Sequence, residues 1–311
     1  MKWIKKILVA FSIVLLAALF VLYKSDIPAE TIRMNYADTT SQFLPLMGMQ
    51  VHFRDQGNQS DTVPLVLIHG LSSSLHTWDS LVVRLKENKR IIRLDLPAFG
   101  LTGASPEGEY SWDYYNRFVD SFLTAMNIKQ CILVGHSLGG YVAWNQAIYK
   151  PQRLVKLILI NSGGYPRKNE KGNIGFKLAS IPIVGNIITK FTPKKLIKKS
   201  LEDAYADDSK INDALVDRHF NLLLREGNRK ATIDFFRQRA TPLPEKIKLV
   251  QVPTLIIWGE DDQMIDVSNA YKFRTDIRGS KLKIINHSGH VPMEESPEAV
   301  FQAIKDYIQL N

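Results

Sequence analysis

The chain has 311 residues, 45% hydrophobic and 23% charged, with a formal net charge of +9. That length suits one large α/β domain with an insertion, or two domains. The ordinary composition, the lack of repeats or low-complexity tracts and a single cysteine, Cys131, exclude a repeat protein, a disordered chain and any intrachain disulfide. Positive charge gathers in residues 1–24 and 163–244, but in no nucleic-acid motif, so nucleic-acid binding is not expected.

Lys2, Lys5 and Lys6 precede Ile7 to Tyr23, an apolar run interrupted by one small polar residue, Ser12. As a helix it would span roughly 25 Å, slightly short of a bilayer core unless flanking residues help. No small-x-small cleavage pattern follows, so residues 1–25 read as an uncleaved membrane anchor, a cleaved signal segment being the alternative. The preceding lysines favour a cytoplasmic N-terminus and an extracytoplasmic body, or a secreted or periplasmic one after cleavage. The basic excess in 163–244 suits a solvated helical face or contact with anionic lipid.

Residues 26–44 read as a linker. Met49 to Arg54 alternates as a first strand, and Leu65-Val66-Leu67-Ile68 is a buried strand ending in His69-Gly70. Thr77 to Leu85 reads as a helix, Ile91 to Leu94 as a strand ending in Asp95-Leu96-Pro97, and Ser111 as the start of a helix carrying Trp112, Tyr115, Phe118, Val119 and Phe122. Gln130 to Val134 is a strand, Gly140 to Ile148 a helix, and Val155 to Ile160 a strand that Asn161-Ser162-Gly163-Gly164 breaks. Alternation then stops. Residues 165–244 hold helical stretches, Leu196 to Ala206 and Asp213 to Arg225 among them, but no clear buried strand. It resumes with strand Pro253 to Gly259, helix Val267 to Thr275, strand Leu282 to Ile285 and a last helix with Val300, Phe301, Ile304, Tyr307 and Ile308 on one face. Apolar strands alternating with helices predict an α/β fold with a mainly parallel sheet covered on both faces, and a helical insertion after Ile160.

Gly135-His136-Ser137-Leu138-Gly139 lies between a predicted strand and a predicted helix. Gly-x-Ser-x-Gly in that setting is a nucleophile elbow, a turn so tight that small residues are needed two positions either side of the serine. A serine nucleophile needs a base on the same rim. His287 and His290 both follow the last strand, and His290, preceded by Gly289 in a loop before the last helix, is favoured. The orienting acid falls in Glu260-Asp261-Asp262 after the penultimate strand; spacing does not separate Asp261 from Asp262, and Asp266 is a weaker third choice. The order Ser, Asp, His is that of α/β-hydrolases. An oxyanion would take the backbone N–H of Leu138 and one from the loop after His69-Gly70, with Leu71 the expected donor. His52 and His219 read as structural or surface residues, and His136 as locally packed.

Over roughly residues 46–311 the chain resembles the α/β-hydrolase superfamily in its cap-bearing serine hydrolase branch. The matching pieces are His69-Gly70 with Trp78, Asp95-Leu96-Pro97-Ala98-Phe99-Gly100, Gly135 to Gly140, Pro253 to Asp262, and Gly289-His290. The family's acid is the fourth residue of a Gly-x-x-Asp run, so Gly259-Glu260-Asp261-Asp262 selects Asp262, and the resemblance also supports His290. Residues 163–244 then correspond to the cap, between core parts 26–162 and 245–311. Ala98 departs from the family's usual glycine.

The resemblance implies carboxylic ester hydrolysis through Ser137, His290 and Asp262, with no metal or organic cofactor. Dehalogenases and epoxide hydrolases of this architecture use an aspartate where Ser137 stands, and His69-Gly70-Leu71-Ser72-Ser73 lacks the Gly-Pro loop of iminopeptidase-like enzymes. The same loop counts against, without excluding, C–C hydrolases of ring-cleavage products; a non-catalytic scaffold is a further alternative. Apolar residues from Ile174 to Phe191 would line an acyl pocket or form the insertion's own core, and a membrane anchor beside them suits a lipid-derived ester.

Overall fold

Runs of four to seven residues rich in leucine and isoleucine form the central strands, and the side chains of each run divide between two cores. In β3 (Leu65–Ile68), Leu65 and Leu67 face one side of the sheet while Val66 and Ile68 face the other. The computed structural model describes residues 3, 6–7, 9, 23–166, 181, 190–238 and 243–309. Within them, β1 (Ser41–Leu46), β2 (Met49–Gly57), β3, β4 (Arg90–Leu94), β5 (Cys131–His136), β6 (Leu154–Ile160), β7 (Thr254–Gly259) and β8 (Lys281–Ile285) form one sheet. The order is β1-β2-β4-β3-β5-β6-β7-β8; β1 and β2 pair antiparallel, β2 also antiparallel to β4, and the remainder are parallel.

Helices Trp112–Ala125, Leu138–Tyr149 and Ser268–Asp276 cover one face, contributing Phe118, Phe122, Trp144 and Phe273 to the larger core. Helices Asp79–Leu85 and Pro297–Ile308 cover the other with Leu81, Leu85, Val300 and Ile304. Ser111 caps its helix by accepting the Tyr114 N–H. Cys131, buried in β5, has its thiol pushed up to about 12 by burial and is a packing residue. Between β6 and β7 run helices Lys194–Glu202, Asp213–Leu224 and Asn228–Gln238. The last of these falls within the predicted helical insertion, although the pattern gave it no bounds of its own.

The sheet places the site. From β3 the chain crosses to β4 on one side, then returns to β5 on the other. The loops leaving β3 and β5 therefore diverge and leave a crevice at their carboxyl ends, where ligands bind in open α/β sheets.

Two N-terminal expectations are corrected. Among the described residues no helix is long and apolar enough to cross a membrane. The expected anchor, the extracytoplasmic body hung from it and membrane contact through an N-terminal helix are thus not supported; most of the run from Ile7 to Tyr23 lies outside the described residues. The chain that follows is held against the body: the Lys24 N–H donates to Lys190 O and the Ile27 N–H to Leu224 O, both at 2.8 Å, and Arg229 pairs with Asp26 at 2.6 Å. Residues 26–44 are likewise no linker. They form helix Ala29–Tyr36, which buries Ile32, and then β1. β1 joins β2 through Met47-Gly48, both at positive φ (49° and 73°), a two-residue hairpin turn in which methionine is not the expected residue.

Candidate active site

Ser137 stands between β5 and helix Leu138–Tyr149 with φ 52° and ψ −111°, a conformation a non-glycine residue holds only when its surroundings enforce it. They do so by close approach. A Cβ on Gly135 would lie 2.2 Å from Gly139 O, and one on Gly139 would lie 2.2 Å from Ile68 O. The Ser137 N–H donates to Ile160 O, and its carbonyl accepts from Gly163 and Tyr141, tying the turn to β6 and to its own helix.

Ser137, His290 and Asp262 meet although 153 and 28 residues separate the successive pairs. His290 Nε2 lies 2.9 Å from Ser137 Oγ, and His290 Nδ1 lies 2.8 Å from Asp262 Oδ2. A carboxylate only accepts, so Nδ1 carries the proton and Nε2 is left to accept from the Ser137 hydroxyl. Burial pushes the Asp262 carboxyl upward, but the adjoining His290 and its hydrogen bond, with donation from Asn161 and Ile265, hold it below its ordinary value. Asp261 is exposed and donates its N–H to Ser288 O. Asp266 accepts from the Ser268 N–H at the start of the next helix, and His287 is exposed.

The loop after β3 crosses the elbow: a Cβ on Gly70 would lie 3.1 Å from Ser137 Cβ. Leu138 is the first residue of the helix that follows the serine, and Leu71 follows Gly70 in this loop. The helix N-terminus adds a partial positive charge there. His69 holds the loop from behind: Nδ1–H donates to Gly70 O at 2.7 Å, and Nε2 accepts the Leu96 N–H at 3.0 Å. From the insertion, His219 Nδ1 reaches Ser72 O at 3.2 Å, so this histidine touches the loop rather than only solvent.

Asn161 is a site residue that the sequence left as a strand breaker. At the end of β6, between the strands carrying Ser137 and Asp262, its Nδ2 donates to Asp262 Oδ2 at 2.7 Å and its Oδ1 accepts the Gly259 N–H at 3.2 Å. The signal was its place: a polar side chain at the carboxyl end of a buried strand. Replacing Asn161 by alanine is expected to lower kcat about 10- to 100-fold, with KM changed less than about threefold, because Asp262 loses a donor that aims it. Equal kcat in both proteins would remove Asn161 from the site.

A second Ser-His-Asp chain lies at the sheet edge. His52 Nδ1 meets Asp95 Oδ2 at 2.7 Å, and His52 Nε2 meets Ser41 Oγ at 2.9 Å. Ser41 Oγ also accepts from the Asp38 N–H and Arg54 Nε, and Ser41 begins β1 rather than a helix, so the group ties β1 to β2. His136 is buried with Nε2–H donating to His290 O at 2.8 Å; burial first, and then His290, pushes it down to about 3. Burial likewise takes His76 to about 4 and lowers His69. These sites refuse protons that the unfolded chain accepts near the ordinary value of 6.5. Their contribution is therefore full above about pH 6.5 and is lost as the pH falls toward about 4. From His76 and His136, whose values fall well below 5.5, urea unfolding at pH 5.5 is expected to give a stability on the order of 3 kcal/mol below that at pH 7.5, with His69 acting in the same direction. Equal midpoints would contradict the neutral assignment.

Such an elbow with a histidine and an acid on one rim of a mainly parallel sheet defines a class of hydrolases. The chain belongs to the alpha/beta hydrolase family, whose model matches residues 65–303. It is 31% identical over 259 residues to the uncharacterized hydrolase YugF of Bacillus subtilis (strain 168), covering 83% of this chain and 93% of that one. It is 29% identical over 276 residues to 2-hydroxy-6-oxo-6-(2'-aminophenyl)hexa-2,4-dienoic acid hydrolase of Metapseudomonas resinovorans, covering 86% and 90%. Among solved structures it resembles a serine hydrolase involved in carbazole degradation (CarC enzyme), with a TM-score of 0.74 and 27% identity over 87% of this chain and 99% of that one.

Proposed function

We propose that the protein is a serine hydrolase that cleaves carboxylic esters through an acyl-enzyme, with Ser137 as nucleophile, His290 as base and Asp262 as its orienting acid. The observation that carries this reading is Ser137 Oγ at 2.9 Å from His290 Nε2, on a strained elbow at a helix N-terminus. Ser137 attacks the carbonyl carbon as His290 takes its proton. The oxyanion accepts from the N–H groups of Leu71 and Leu138. His290 then protonates the leaving alcohol, and water, deprotonated by the same imidazole, releases the acid. The substrate is a small molecule, and residues 163–244 act as a cap over it. Of the apolar insertion residues expected to line an acyl pocket, Ile181 is 47% exposed and Phe191 half-buried; the remainder lie outside the described residues.

A second reading is C–C hydrolysis of a ring-cleavage product by the same three residues. It is favoured by the 29% identical relative, whose name specifies a hexadienoic acid hydrolase. The two separate in one assay: p-nitrophenyl esters from acetyl to palmitoyl, beside a 2-hydroxy-6-oxo-hexadienoic acid followed by absorbance. Ester turnover that vanishes in Ser137→Ala, with a slow dienoic acid, supports the first reading. Fast loss of the dienoic acid with slow esters replaces it by the second, and inactivity on both panels overturns both.

A further inference from the structure

All four backbone polar groups of Gly289 and His290 are taken, each by a different residue. The Gly289 N–H donates to Glu295 Oε2 at 2.6 Å, and Gly289 O accepts from Asn161 Nδ2 at 3.3 Å. The His290 N–H donates to Ala204 O at 2.7 Å, and His290 O accepts from His136 Nε2 at 2.8 Å. His136 ends β5 and Asn161 directly follows β6. Ala204 belongs to the insertion, just after helix Lys194–Glu202. Glu295 bridges to the same segment, its Oε1 accepting the N–H groups of Ala206 at 2.8 Å and Asp207 at 3.2 Å. One of the four bonds thus comes directly from the inserted segment, and a second comes from a side chain that the same segment engages.

Packing carries the same link. The insertion's own small core of Leu201, Ala204, Tyr205, Leu215 and Val216 packs against Met264 and Val291, neighbours of Asp262 and His290. Glycine at 289 is required by this docking, since a Cβ there would lie 2.5 Å from Ala204 O.

Resting on the hydrolase reading above, we propose that Glu295 is a positioning residue that locks the His290 loop to Ala204–Asp207, so that His290 reaches its catalytic register only with the insertion seated.

Glu295→Gln tests this with little change in shape. An amide offers one acceptor oxygen, which keeps either Gly289 or the Ala206 and Asp207 pair, but not both. Two readings are taken on the full chain: kcat and KM per site titrated with a fluorophosphonate, and the downfield proton resonance of His290 Nδ1–H against Asp262. The expected result is a kcat per titrated site lower by on the order of 10²-fold, KM changed less than about threefold, and a broadened or lost resonance. A kcat per site within about twofold of the parent, or a loss that is wholly a loss of titratable sites, would overturn the proposal. Glu295→Asp, which keeps the charge but is too short to bridge, serves in the same way if the amide variant does not fold. The resonance is read without substrate, so the failures separate: an unmodified enzyme with no turnover sinks the hydrolase reading, and an unchanged resonance in the variant sinks this one.

Discussion

Alanine in place of Ser137 is expected to reduce turnover of the best substrate by about 10⁴- to 10⁶-fold while leaving the fold intact. The size of the loss follows from what remains. The oxyanion donors and the binding site still act on the substrate, and such sites keep a residual 10³–10⁴-fold over water without a nucleophile. Stability should hardly change, because among the described residues the hydroxyl pairs with His290 alone, and alanine tolerates the elbow no worse than serine. Parallel melting curves check that the variant is folded. A variant retaining a tenth of parental turnover would mean that another group attacks the substrate.

The largest expected effect on stability is at Asp95. Its carboxylate is fully buried and takes His52 Nδ1, the Leu75 N–H and the Leu101 N–H, each at 2.7 Å. Burial pushes its carboxyl up, yet the adjoining His52, with His69 and His76 further off, holds it far below the usual carboxylate range. One side chain thus fastens the loop after β4, the 3₁₀ turn Leu75–Trp78 in the connection after β3 and the antiparallel edge. A Cβ at Gly100 would lie 2.1 Å from Asp95 Oδ2, and Ala98 holds φ 81° in the same loop, where a residue with a Cβ is strained. Asp95→Ala orphans these donors and is expected to cost about 3–5 kcal/mol, a large share of a typical stability of about 5–15 kcal/mol. The melting temperature should drop on the order of 10 °C. Asp95→Asn, which keeps one acceptor oxygen, should fall between. A change under about 1 kcal/mol in Asp95→Ala would show that the loops are held elsewhere.

Much of the sheet is legible in the chain because its strands are short apolar runs cut off by His69-Gly70, Asp95 and the elbow. β3 spans the four residues that the pattern marked. That a serine, an acid after β7 and a histidine after β8 share one rim follows from motif order in a parallel sheet. Spacing does not choose between Asp261 and Asp262; the structure turns Asp262 inward to His290 and leaves Asp261 in solvent. Residues 26–44 misread because helix Ala29–Tyr36 buries one residue, Ile32, and is kept by tertiary contact rather than by its pattern. Asn161 and Glu295 were hidden for another reason. Their roles lie in hydrogen bonds to residues 101 and 89 positions away, of which the local sequence shows, for Asn161 alone, a polar side chain at the end of a buried strand. The apolar N-terminal run carried a further inference, a membrane anchor, from hydropathy alone.

The central claim is that Ser137, activated by His290, is the nucleophile. Its most direct test is intact-mass and peptide-mapping analysis after reaction with a fluorophosphonate. The account predicts one phosphonyl group per chain, on Ser137, absent from Ser137→Ala and formed at least about 10²-fold more slowly in His290→Ala. No adduct on a folded chain, or one on Ser41 with Ser137 unmodified, would contradict it.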